Sequence, residues 1–252
     1  MAFGNADPRT ATSRAQTGAL FDAGLRAYML KVYNYMGLGL LITGVVAYVV
    51  AQFSIVTNDA GQVVALTALG NLLFVSPLHW VVMLAPLGLV FLFSARLHKM
   101  SVAGAQAVFW LFAGLMGLSL TTIFMAYTSA SIATVFFITA TTFGAMSLYG
   151  YTTKKSLAGM GSFLFMGLIG IIIAMVVNIF LASSALQFAI SVIGVLVFVG
   201  LTAYDTQRIK ESYSVHMNGE MAAKGAIYGA LQLYLDFINL FIMLLSLFGN
   251  NR

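Results

Sequence analysis

The chain has no cysteine, only three prolines, and only 8% charged residues among 252. Without cysteine there is no disulfide framework, no thiolate metal site and no cysteine nucleophile. A soluble domain of this size would carry about 25% charged residues, so a mostly water-facing surface is excluded. Lys and Arg number 12 against 7 Asp and Glu, a net charge of +5, yet the cations are dispersed between apolar segments. A nucleic-acid partner would need them gathered on one patch or helix face, so none is expected. The first thirty residues are polar or mixed, with Asp7, Arg9, Arg14 and Asp22. They show no apolar core followed by a small-residue cleavage site, so no removable signal peptide is expected.

What fills the chain instead is apolar: 61% of its residues are hydrophobic. Seven stretches of about 20 residues, each long enough to cross roughly 30 Å of hydrocarbon, fall near 33–52, 79–97, 103–126, 131–151, 159–182, 185–206 and 225–249. This predicts an all-α integral membrane protein whose one domain, residues 33–252, is embedded in the lipid bilayer. Residues 1–32 form an N-terminal segment. Within it, Leu20, Phe21, Leu25, Tyr28 and Met29 interleave with Asp22, Arg26 and Lys31, the pattern of a short helix lying on the membrane surface. Pro86 falls inside the second span, where loss of a backbone donor predicts a structural kink. The loop 53–78, with Asp59, Gly61 and Pro77, is the longest between spans and could cap that end of the molecule.

The cations predict the orientation, because Lys and Arg in short loops are retained on the cytoplasmic side. Arg9, Arg14, Arg26 and Lys31 precede the first span, Arg96 and Lys99 follow the second, and Lys154 and Lys155 follow the fourth. Arg208, Lys210 and Lys224 lie between the sixth and seventh. The loops 53–78, 127–130 and 183–184 contain neither Lys nor Arg, so all cations except Arg252 fall on one side. The expectation is a cytoplasmic N-terminus and an external C-terminus.

Against this background two acids stand out. An ionised carboxylate at the centre of a spanning helix costs roughly 2.5 to 3.5 kcal/mol on insertion scales, so Asp205 and Asp236 should face protein or trapped water. Asp205 ends span six in Leu201-Thr-Ala-Tyr-Asp-Thr-Gln-Arg-Ile-Lys. Asp236 shares one stripe of span seven with Tyr228, Gln232 and Asn239, at spacings of four, four and three. Gly225 and Gly229, four apart on the same helix, would permit close approach of a neighbour. Counted from Lys224, Asp236 lies about 18 Å into its helix. Asp205 lies near a helix end, and the spacing does not decide whether the two touch. If they meet, they titrate as a unit: a shared proton or nearby cation holds the pair together, and loss of the proton drives it apart. Arg96 on span two is a candidate counter-ion, or equally a topogenic cation. For Asp205 the plainer alternative is a helix-end acid beside Arg208, and for Gln232 and Asn239 it is interhelical packing. Two carboxylates with amide oxygens nearby also suit calcium, a six- to eight-coordinate oxygen-seeking ion. Spacing does not separate calcium from protons.

Gly200-Leu-Thr-Ala-Tyr-Asp-Thr-Gln-Arg-Ile-Lys and Gly229-Ala-Leu-Gln-Leu-Tyr-Leu-Asp-Phe-Ile-Asn-Leu-Phe resemble the two motifs of the transmembrane Bax inhibitor motif family, bacterial members included. The resemblance extends over the whole span pattern and the approach Arg26-Ala-Tyr-Met-Leu-Lys-Val-Tyr. It implies a seven-helix fold whose last helix is wrapped by the other six, and a pH-sensitive calcium leak; with the single compact set of spans it also implies a bacterial cytoplasmic membrane, an organellar membrane being the alternative. It further implies that Asp205 and Asp236 form the pH sensor and gate. An arginine latch on the second helix matches Arg96 by position alone. Some family members are instead modulators of membrane partners, including a membrane-bound protease.

The competing classes are weaker. An intramembrane aspartyl protease would use the same pair as general acid and base, but it carries Gly-x-Gly-Asp where this chain has Leu233-Tyr-Leu-Asp236. A rhomboid-like serine protease needs an intramembrane His facing its Ser, whereas His79, His98 and His216 fall at edges and loops. A retinal protein needs a Schiff-base lysine within the last span, and Lys224 stands only at its start. No enzyme activity, haem, nucleotide or other cofactor is expected. The expected ligands are calcium and protons, and the alternative is a regulator of a membrane-protein partner without transport of its own.

Overall fold

The computed structural model describes the backbone of residues 8–58, 62–214 and 216–250, with side chains from Asp22 onward. Its long helices are α1 (Pro8–Ser54), α3 (Leu78–Arg96), α4 (Val102–Leu120), α6 (Ser129–Thr152), α7 (Ala158–Leu181), α8 (Ser184–Ser212) and α9 (Gly219–Phe248). Short helices α2 (Ala68–Phe74) and α5 (Ile123–Ala126) and a hairpin of β1 (Ile55–Thr57) and β2 (Val63–Leu66) complete the described elements, with a 3-10 turn at Leu97–Lys99. Seven helices are long and apolar enough to cross a membrane, and the chain is an all-α integral membrane protein. Polar residues set where the helices start. The side chains of Ser101, Thr128, Ser183 and Asn218 accept hydrogen bonds from the backbone N–H of Gly104, Ser131, Leu186 and Met221, satisfying donors that the first turn leaves free. At the far end of α7, Ala182 takes a left-handed φ of 47°, and the Asn178 side chain accepts from Ser183 N–H, securing the turn into α8.

Side-chain contacts fix the direction of each span. Tyr35 meets Gln106 and Thr43 meets the Ala113 carbonyl, so α1 and α4 run parallel. Ser147 meets Thr206 and Tyr151 meets Lys210, so α6 and α8 run parallel. Ile209 lies against Gly229, Gly194 against Met243 and Ser191 against Ser246, so α8 and α9 are antiparallel in one constant register. The spans therefore alternate, and the turns 97–101, 153–157 and 213–218, with the Lys- and Arg-bearing helix ends beside them, gather at one end of the bundle.

The most buried helix is the last: Ala226, Ile227, Ala230, Leu233, Tyr234 and Leu240 on α9 are fully covered. It is central as expected, with α1, α4, α6 and α8 packed directly on it. The other two spans form an outer layer, α3 chiefly on α4 and α7 chiefly on α8. Small residues permit this density. A Cβ at Gly150 of α6 would collide with the Ala203 carbonyl of α8, and one at Gly117 of α4 would stand 2.6 Å from the Thr43 carbonyl oxygen of α1.

Two expectations change. The N-terminal segment is not a separate surface helix, since α1 continues unbroken from Pro8 into the span. Leu25, Tyr28, Met29 and Val32 form a buried stripe, and the Tyr28 ring lies 5.3 Å from that of Tyr213, so this turn is packed against the α8–α9 connection. Leu20 and Phe21, with Arg9 and Arg14, lie outside the described side chains. The loop 53–78 is structured: Ile55 pairs with Leu66 and Val56 with Ala65, and the Thr67 side chain caps α2 through Gly70 N–H. Its Asp59 and Gly61, like Asp7 and Arg252, lie outside the described residues. Pro86 lies inside α3, which continues through it.

Candidate functional site: the aspartate pair of the last two helices

The register of α8 on α9 decides what spacing left open. With Ile209 against Gly229, four residues along each antiparallel helix set Asp205 level with Leu233. Asp236 is then only three residues, about 4.5 Å of rise, deeper. Asp236 remains twelve residues from Lys224, but Asp205 does not stand at a helix end: α8 continues seven residues past it to Ser212, which is level with Ala226. The two carboxyl groups accordingly meet side chain to side chain, within hydrogen-bonding reach. Two ionised carboxylates offer only lone pairs, so this contact is attractive only when one of them carries a proton. Asp236 is 5% exposed, and its Oδ2 is buried with no hydrogen-bond partner among the described residues.

The cation beside the pair is Arg208, one turn from Asp205 on the same helix and close enough to act on its charge. Arg96, the positional candidate for a latch, is exposed at the last turn of α3 and makes no ion pair among the described residues. The described ion pair is Lys224 to Glu220, 2.8 Å apart at the start of α9.

The polar stripe of α9 divides. Tyr228 and Gln232 line a cavity of about 360 Å³ at the cation-bearing end, together with Tyr28, His98, Arg208 and Ser212. Asn239, beyond Asp236, donates through Nδ2 to the Leu235 carbonyl of its own helix at 2.8 Å. Gly229 admits Ile209, as its small size suggested, and Gly225 admits the Tyr28 hydroxyl. As for calcium, the described residues contain no group of three or more His, Cys, Asp or Glu that could hold a metal ion. The two acids alone supply fewer oxygens than calcium requires, so an ion there would keep much of its water.

Two buried hydroxyl chains escaped the sequence reading. Thr206 donates to the Thr202 carbonyl at 2.7 Å. Its oxygen must therefore accept from Ser147, at 3.0 Å, and Ser147 in turn accepts from Tyr33, at 2.6 Å. The chain ties α1 and α6 to the residue next to Asp205. Likewise Thr43 donates to the Ala113 carbonyl at 2.8 Å and accepts from Tyr234, at 2.6 Å. This second chain joins α9 to α1 and α4 two residues from Asp236. Ser, Thr and Tyr are common in spanning helices, and only helix register shows which of them meet.

A family model described as "Inhibitor of apoptosis-promoting Bax1" matches residues 25–252. An uncharacterized protein of Rickettsia prowazekii is 48% identical over 243 residues, 96% of each chain. The inner membrane protein YbhL of Escherichia coli (strain K12) is 48% identical over 234 residues, 91% of this chain and 94% of its own. An uncharacterized protein of Caulobacter vibrioides is 49% identical over 235 residues, covering 92% of this chain and 91% of its own.

Proposed function

The chain belongs to the family described as inhibitors of apoptosis-promoting Bax1, and from that premise we propose that it is a pH-sensitive cation leak, with calcium as the cargo. The observation that carries this reading is the meeting of Asp205 and Asp236 across α8 and α9. One shared proton holds the contact together. Removing it leaves two like charges in a poorly solvated site and pushes the two most extensively packed helices apart at that level. Arg208 moderates the charge on Asp205, and the cavity lined by Tyr228 and Gln232 supplies a hydrated approach from the cation-bearing end. Arg96 acts as a latch only if a rearrangement brings α3 inward, because it is exposed and makes no ion pair among the described residues. Asn239 is spent on its own helix.

The name of the Escherichia coli relative supports an inner-membrane location. The gathering of Lys and Arg at one end supports a cytoplasmic N-terminus. The test is calcium flux into proteoliposomes between about pH 6 and 8, a window suited to a coupled acid pair. The native chain is compared with Asp205→Asn and Asp236→Asn. A pH-dependent flux whose dependence flattens in both variants is the expected result. The word "inhibitor" in the family description favours a second reading, a regulator of a membrane partner. Absence of flux from well-folded protein would select it.

A further inference from the structure

Beyond the Tyr33–Ser147 hydrogen bond that joins them, α1 and α6 leave an open flank. A groove of about 550 Å³ lies between them, running from Arg26 to Gly37 on α1 and from Phe143 to Tyr151 on α6. A second cavity of about 800 Å³ shares Gly37 and continues toward Tyr48. The first groove has an apolar body, with Met29, Leu30, Met36 and Leu148, and a cationic mouth. Arg26 lines that mouth beside Tyr151. Lys210 reaches the same tyrosine, its Nζ 2.8 Å from the Tyr151 carbonyl oxygen and 5.6 Å over the ring. No Asp or Glu is among the lining residues, and Asp22, one turn from Arg26, makes no ion pair with it.

We infer that this groove is a binding site for one phospholipid with an anionic headgroup, its phosphate on Arg26 and one acyl chain lying between α1 and α6. Length supports the assignment. Arg26 to Gly37 spans eleven residues, about 16 Å along the helix, close to half of the roughly 30 Å hydrocarbon core. The site thus matches one leaflet, with the charge at the headgroup level. Charge selects the headgroup, since a juxtamembrane cation favours anionic lipid and none of the described residues lining the mouth is an acid.

The groove can be filled without disturbing its walls. A Cβ at Gly37 or at Gly144 would meet nothing within 4 Å, so Gly37→Leu and Gly144→Leu place bulk in the space the acyl chain would occupy. The experiment is native mass spectrometry of protein exchanged into mixed phosphatidylglycerol and phosphatidylcholine, with thermal unfolding as the check on folding. The native chain is expected to retain one phosphatidylglycerol, preferred about fivefold over phosphatidylcholine. The double leucine variant is expected to lose the retained lipid. Arg26→Gln, a change at an exposed side chain, is expected to keep lipid but lose the headgroup preference, and it tests the site independently should the leucines perturb folding. Equal retention by the folded leucine variant, or an unchanged preference in Arg26→Gln, would overturn the assignment. So would a second copy of the chain that dissociates when the groove is filled.

Discussion

At the scale of single residues, the buried hydroxyls around α9 differ in what their removal leaves behind. Tyr234→Phe takes away one donor, and Thr43 keeps its bond to the Ala113 carbonyl. Interhelical hydrogen bonds in membranes average about 0.6 kcal/mol and reach about 1.7, so this variant should lower thermal stability in detergent by a few degrees at most. Thr43→Val instead strands the Tyr234 hydroxyl, which is fully buried, and an unsatisfied buried group costs about 1–3 kcal/mol. The expected order is therefore a larger drop in unfolding midpoint for Thr43→Val than for Tyr234→Phe. The aspartates behave differently again. Asp236→Asn preserves shape and can donate to Asp205 at every pH, so folding should survive while any pH response of calcium flux between about pH 6 and 8 flattens. The two acids were legible in the sequence because carboxylates in apolar segments are expensive. The hydroxyls bonded beside them were not, because Thr and Ser occur throughout such helices and only packing distinguishes the paired ones.

At the scale of elements, helix contact here depends on where a side chain is missing. Gly150 admits the Ala203 carbonyl, which is backbone and cannot move aside. Gly150→Ala should force α6 away from α8 at a cost of about 1–3 kcal/mol. Gly170→Ala on α7, where a Cβ would meet nothing within 4 Å, should be neutral or slightly stabilising, by up to about 1 kcal/mol. Paired unfolding measurements on the two variants check the contrast. The helices themselves were readable to within a few residues at most boundaries, since each apolar run is punctuated by a polar turn. Two elements were not. The segment before the first span reads as amphipathic, yet its apolar stripe at Leu25, Tyr28, Met29 and Val32 serves the core. The Ile55–Leu66 hairpin hides in a stretch whose few β-branched residues resemble the ends of neighbouring spans. Asp205 reads as a helix-end acid for a related reason, because apolarity marks where hydrocarbon ends and not where the helix does, and α8 runs on to Ser212.

At the scale of the whole molecule, alternating spans carry the Lys- and Arg-bearing helix ends to one end of the bundle. Absence of native cysteine makes the chain its own background for single-cysteine labelling. A thiol reagent that cannot cross the membrane should reach Lys99→Cys and Ser156→Cys from one side and Ser183→Cys from the other. Under the proposed orientation, intact cells label only the last of these. Labelling of Lys99→Cys in intact cells would reverse the proposed topology while leaving the fold untouched. The chain Tyr33, Ser147, Thr206 bears on how such a molecule keeps its two faces apart. Each hydroxyl gives its hydrogen to the next, and the last gives its own to the Thr202 carbonyl, which has none to pass on. The series is therefore a dead end for proton hopping. Under the proposed function it offers no hydroxyl relay from the flank of α1 to the neighbourhood of Asp205, so a proton bound for the aspartate pair would have to arrive by another route.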